Sequence, residues 1–260
     1  MQRFINDIKK YSGYTIYSAK SELKSEVASS YLNWLWWILD PLFFMLVYTF
    51  ISVIVFKATE PYFPIFVFIG LTVWNFFNRC VISSVKIVQN NSAIVSKVYI
   101  PKFILILQKM YVNGFKLLIS FALVFIMMVI YRVPLTGKIV YMIPVLATLF
   151  VITFGCCSIV LHLGVFVEDL SNVLTIVLRL VFYMSGIFYS IGSRVPEPYN
   201  MILLKGNPTA YLIDELRRTM LYNQMPYRKW LILWFAAGVI LSAIGVRYIY
   251  RHENSYVKVI

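Results

Sequence analysis

The chain has 260 residues, 60% of them apolar and only 13% charged, and its mean hydropathy is +0.76. Soluble domains carry about 25% charged residues, so water is not the main solvent of this protein. The formal charge of +13 does not indicate nucleic acid, because Lys and Arg lie between apolar runs rather than along one basic stripe. The positive-inside rule and anionic lipid account for them.

The N-terminal segment, 1–33, places Ile16, Ala19, Leu23, Val27 and Tyr31 at helical spacing, with Lys20, Glu22, Lys24 and Glu26 on other faces. This predicts an amphipathic helix lying on the membrane surface. The first apolar run, 34–56, begins too far into the chain and runs too long for a cleavable signal peptide. Trp34, Trp36 and Trp37 mark its interfacial end. Asp40 before Pro41 reads either as an N-cap that restarts the helix or as a kink within one helix.

Five further spans are expected at 63–82, 103–131, 139–163, 173–191 and 230–249. Each meets the roughly 20 apolar residues that a bilayer crossing needs. Between the last two, 192–228 contains Pro196, Pro198 and a cap signal, Asn207 followed by Pro208. Beyond that cap, Leu212, Ile213, Leu216 and Met220 form one apolar stripe on a helix too short to span, which should be interfacial or re-entrant. The expected fold is an all-α integral membrane domain of six spans covering residues 1–260.

An even number of spans puts both termini on one side. The N-terminal segment (Arg3, Lys9, Lys10, Lys20, Lys24), the 83–110 loop (Lys86, Lys97, Lys102, Lys109) and the C-terminus (Arg247, Arg251, Lys258) concentrate basic residues there. That side is expected to be cytoplasmic.

Cys80, Cys156 and Cys157 all fall in apolar stretches and read as packing residues, while His162 and His252 stand isolated in the sequence. No metal site is expected. No phosphate-binding GxxxxGK[ST], HExxH or GxSxG occurs, and the acids sit at span ends. The chain is therefore expected to be no enzyme, and energy must come from a partner or an ion gradient. Intramembrane carboxylates, usual in ion-coupled carriers, are absent.

Two polar stripes sit in the cytoplasmic half: Asn75, Asn78, Arg79 and Lys86, then Lys109, Asn113, Lys116 and Ser120. One reading is a basic entrance attracting a phosphate-bearing substrate; the other is snorkelling to anionic lipid with interhelical hydrogen bonds. Trp34 and Trp37 adjoin that entrance. Arg179, near the start of the fifth span, is expected to pair with Glu168 or Asp169.

The phrases WLWWILDPLFFMLVYTFI, FIGLTVWNFF, NNSAIVSKVYIPK, VEDL, MSGIFYS and NPTAYLIDELRR occur in order, each at a span or the loop that joins two spans. With the surface helix, they resemble the permease subunit of type 2 ABC transporters that export cell-surface polysaccharides such as O-antigen, capsule and teichoic acid. The resemblance covers nearly the whole chain. It implies a homodimer with two copies of a separate ATPase subunit, which would hold the ATP and Mg, moving a lipid-linked glycan across a bacterial plasma (inner) membrane. It also implies a coupling helix between spans 2 and 3, with Asn90, Asn91, Ser92, Ile94, Val95, Lys97 and Tyr99. Glu168 and Asp169 would lie in a second ATPase-facing loop, and Asn207, Pro208 and Arg217 in external gate helices. A type 2 permease for a drug or small lipid, or a membrane scaffold, is the alternative.

Overall fold

A computed structural model describes the chain except Met1, Ser29, Ser30, Phe56, Ala58, Thr59 and Ile260, and except the side chains of Asn33, Ser52, Val55, Val257, Lys258 and Val259. The last residue of the 34–56 run and the Lys258 side chain used for orientation thus lie outside the described residues. All regular structure described is helical. Among the described residues, four helices are long and apolar enough to cross a bilayer, and two shorter apolar ones accompany them.

Helix α1 (Gln2–Ala28) precedes a short 3-10 turn and α2 (Trp36–Phe50), which continues as a π-helical stretch over Ile51–Val55. Pro41 lies inside α2, so Asp40 does not cap a new helix. The described part of the expected surface stripe divides: Ala19 is buried, Ile16 is exposed, and Tyr31 lies beyond the helix end.

Helix α3 (Phe63–Val85) is the hub of the molecule. Ile65, Phe66, Val67, Phe68 and Ile69 are each 1% exposed or less, because helices surround α3 on all sides. The loop that follows holds two single-turn helices, α4 (Ile87–Asn90) and α5 (Ser92–Val95), rather than one coupling helix. Asn91 separates them, its side-chain amide donating to the Ile87 carbonyl at 2.7 Å. Such a local bond competes with continued helix.

Helix α6 (Phe103–Ile130) packs on α3 and α1. Helix α7 (Met142–Phe166) is followed closely by α8 (Leu170–Met184). The 173–191 run is helical only to Met184, because Gly186 adopts φ +62°. A glycine in the left-handed region ends a helix without the penalty a side chain would bring. Three short helices follow, α9 (Ile191–Arg194), α10 (Tyr199–Gly206) and α11 (Pro208–Met220), before α12 (Arg228–Val259).

The most extensive packing joins α7 and α12. Gly155 and Ser158 face Gly238, Ser242 and Gly245, and Ser242 donates to the Val151 carbonyl at 3.2 Å. Small residues let two helix backbones approach where lipid, as apolar as leucine, supplies no hydrophobic drive.

Both termini lie at one end of the bundle. There the Tyr250 hydroxyl donates to Asp7 at 2.6 Å, and Arg3 contacts Glu253. Glu60, Thr136, Ser193 and Asn223 meet at the other end: Ser193 donates to Glu60 at 2.9 Å and Thr136 to Asn223 at 2.6 Å. The long apolar helices α3, α6, α7 and α12 run between these ends.

Candidate functional site

At the terminal end, the chain after α5 is tied to both ends of the polypeptide. The Tyr99 hydroxyl donates to Glu253 at 2.7 Å and accepts from Arg3 at 2.8 Å, while its carbonyl accepts from the Tyr11 hydroxyl at 3.1 Å. Arg3 also stacks over Tyr250 at 4.4 Å. Burial raises the Tyr99 phenol above its ordinary value, and the Glu253 carboxylate that it faces adds to the rise. Lys102, only 3% exposed, is lowered by burial, with Glu253 opposing.

The residues assigned to the coupling segment divide by exposure. Val95 is buried, Asn91 and Ser92 are half-buried, and Asn90, Ile94, Lys97 and Tyr99 face outward. Val98 is exposed beside them, so the outward surface is mixed apolar and basic. Glu168 and Asp169 are exposed at the same end, in the turn between α7 and α8. Neither pairs with Arg179 among the described residues. Ten residues along a helix is a rise of about 15 Å, beyond the reach of that side chain.

Three of the four cations in the two polar stripes are paired with acids, and the fourth, Lys86, is exposed. Lys109 pairs with Glu22, to which Gln108 also donates at 3.1 Å, and Lys116 pairs with Glu26 at 2.6 Å. Arg79 meets Asp40 at 3.2 Å. The acids expected on free faces of α1 thus turn toward α6. Thr15, Ala19, Glu22 and Glu26 follow 4-3-4 spacing, one helix face. That spacing was the available signal in the sequence. What it needed was the fact that α6 lies opposite.

A cavity of about 420 Å³ opens between α1, α2, α3 and α6, lined by Trp37, Asn75, Arg79, Asn113 and Lys116 among others. A second, of about 460 Å³, shares Asp40, Asn75 and Arg79 and adds Asn78 and Arg179. The structure therefore brings together five of the eight residues named for the entrance in one cavity and places Asn78 in its neighbour. Trp34 is 57% exposed and lines neither, and Lys109 is held on α1.

At the opposite end, Asn207 caps α11 as its sequence predicts. Its side-chain oxygen accepts from the Thr209 amide at 3.0 Å and the Ala210 amide at 3.4 Å, and its amide donates to Ser185 at 3.0 Å. Pro208 takes the first helical position. Leu212, Ile213, Leu216 and Met220 are all buried against the bundle. Arg217, 3% exposed, donates to the carbonyls of Phe66, Gly186 and Ile187 at 3.0, 2.8 and 2.8 Å. Burial lowers its guanidinium to about 9, with Asp214 opposing, so it stays charged at neutral pH.

Glu215 was not anticipated as a feature. It is fully buried, and both its oxygens accept from the Tyr227 amide, at 3.1 and 3.2 Å. Nor was the histidine pair: the rings of His162 and His252 are 4.8 Å apart, and His162 Nδ1 lies 2.8 Å from the Tyr256 hydroxyl. Among the described residues no group of three or more His, Cys, Asp or Glu could hold a metal ion.

The chain is similar along most of its length to three curated proteins. It is 28% identical over 226 residues to the O-antigen export system permease protein RfbA of Klebsiella pneumoniae, covering 86% of each chain. With RfbA of Myxococcus xanthus it shares 24% over 241 residues, 93% of each, and with a further Klebsiella pneumoniae RfbA 26% over 226 residues. No protein-family model matches.

Proposed function

We infer that this chain is the permease subunit of an ABC exporter for polysaccharide, of the O-antigen export type. The similarity to three O-antigen export permeases over nearly the full length of each carries this reading. The drug or small-lipid alternative has no comparable observation behind it.

The proposal extends to a finer reading, which the architecture supports. Helices α2, α3, α6, α7, α8 and α12 are the six crossings of a bacterial inner membrane. Helix α8 alone rises about 22 Å, against a hydrocarbon core of about 30 Å, and the chain from Ser185 to Ser190 completes the crossing. The end with both termini faces the cytoplasm, where basic residues concentrate and meet anionic lipid. Two copies of the chain assemble with two copies of a separate ATPase that binds ATP and Mg. Its docking surface is the exposed side of the 90–99 segment together with Glu168 and Asp169. Lipid-linked glycan enters beside the α1 to α3 cavity, and α9 to α11 with Arg217 form the external gate region.

Deletion of this gene in its native host, scored by the surface polysaccharide ladder on gels, tests the transport reading; an unchanged ladder sinks it. For the docking surface, Ile94→Asp and Val98→Asp should abolish co-purification with the ATPase while changing permease stability by under about 0.5 kcal/mol. Retained association of both variants would place the ATPase elsewhere.

A further inference from the structure

The cavity of about 420 Å³ between α1, α2, α3 and α6 has an unusual electrical character for a site at a basic entrance. Its two cations are both occupied: Arg79 by Asp40 at 3.2 Å and Lys116 by Glu26 at 2.6 Å. Among the described lining residues the formal charges cancel. A phosphate arriving here would meet two carboxylates and would have to displace one of them from its cation before making a charge-assisted bond of its own.

What the cavity offers instead is neutral hydrogen bonding beside an aromatic wall. Thr72 is 4% exposed and its hydroxyl has no hydrogen-bond partner. Thr148, Thr153 and Thr175, also helical, donate to the carbonyl four residues back, at 2.7 to 2.8 Å, whereas Thr72, like Thr49, does not. A buried hydroxyl left unmade is unfavourable, so a ligand supplying its partner is favoured. Asn75 and Ser120 line the same cavity, and Trp37 borders it with its ring held edge-on by Phe115 at 5.8 Å.

We propose that this cavity receives a neutral sugar ring of the transported glycan rather than its phosphate. Sugar hydroxyls both donate and accept, which matches a lining of amides, hydroxyls and paired ions that holds both donors and acceptors. The apolar C–H face of the ring suits an indole, and the volume lies within the range of small-ligand sites. The proposal rests on the glycan-export reading above and turns the polar stripes from phosphate attractors into sugar readers.

The test uses the full chain in lipid nanodiscs, with saturation-transfer NMR on methyl glycosides of glucose, galactose, mannose, rhamnose and N-acetylglucosamine, and inorganic pyrophosphate as competitor. At least one glycoside should receive saturation that equimolar pyrophosphate does not displace. Thr72→Val, nearly isosteric, should weaken that binding about three- to tenfold, and Asn75→Ala gives a second, independent loss. Asp40→Asn, which releases Arg79, should create pyrophosphate binding, read by phosphorus line broadening, that the native chain lacks. The proposal is overturned if no glycoside binds, if neither Thr72→Val nor Asn75→Ala weakens binding, or if pyrophosphate displaces the glycoside from the native chain. Gene deletion separates the two readings: a lost polysaccharide ladder with no glycoside binding removes the sugar site and leaves the exporter.

Discussion

The guanidinium of Arg217 lies 3.3 Å over the ring of Phe66 and at the same time donates to that residue's own carbonyl oxygen at 3.0 Å. Its other two bonds reach the carbonyls of Gly186 and Ile187, the segment where α8 gives way to the short helices. One side chain therefore joins α3, α11 and the end of α8. A planar fork reaches three fixed oxygens together; an ammonium on a flexible stem does not. Arg217→Lys is expected to destabilise the permease by about 2–4 kcal/mol, seen as a lowered melting temperature of the purified protein. An unchanged melting temperature would mean that the three carbonyls are satisfied some other way.

Glu215, in the same helix, gives a pH dependence. Burial, aided by Asp214, raises its carboxyl from 4.5 to about 7, against the Tyr227 amide. Between these values the folded chain holds a proton that the unfolded chain has released. Stability is therefore full below about 4.5 and falls as pH rises toward about 7, by up to about 3 kcal/mol. Glu215→Gln should flatten that slope in denaturation curves taken across this pH window. A slope equal to that of the native chain would assign the titration to another group.

Glu22 and Lys109 pair across α1 and α6 with both side chains partly buried. Glu22→Lys alone is expected to cost about 1–2 kcal/mol, between the values for exposed and for buried pairs. Combining it with Lys109→Glu should recover more than half of the loss, giving a coupling energy in a double-mutant cycle. Additive losses would show that the contact between the helices does not depend on charge.

On the α7 to α12 contact, a Cβ added at Gly245 would lie 2.4 Å from Ser158 Cβ and 3.2 Å from its carbonyl carbon. Gly245→Ala should therefore cost about 1–3 kcal/mol through overpacking. Gly192, with open space around it, accepts Ala without such a clash. The comparison is read as the yield of monodisperse protein after heating, with Gly192→Ala as the reference.

The order of the apolar runs was legible because a helix in lipid must satisfy its backbone internally and present about 20 apolar residues, a rule local to each segment. The cap at Asn207 and the stripe Leu212, Ile213, Leu216 and Met220 were legible for the same reason: both follow from neighbours within one helical turn or two. The end of α8 was less so. Apolar residues continue past Met184, and only the positive φ of Gly186 stops the helix.

The pairing of charges was a different matter. Asp40 next to Pro41 resembles a cap in sequence, yet it lies inside α2 and faces Arg79 thirty-nine positions away. Glu22 and Glu26 share a face with Thr15 and Ala19, but nothing in that segment tells that Lys109 and Lys116 stand opposite.

By itself the sequence determined that this chain lives in a membrane, the order of its apolar runs and which transporter permeases it resembles, since composition, periodicity and ordered motifs are properties of neighbours along the chain. Only the tertiary structure decided that Arg79, Lys109 and Lys116 of the basic stripes are paired with acids, that Tyr99 ties the 90–99 segment to both ends of the polypeptide, and that Arg217 joins α3 to the end of α8. Those are contacts between residues distant in sequence. Their chemistry is set by which groups packing leaves without water, and spacing along the chain does not carry that information.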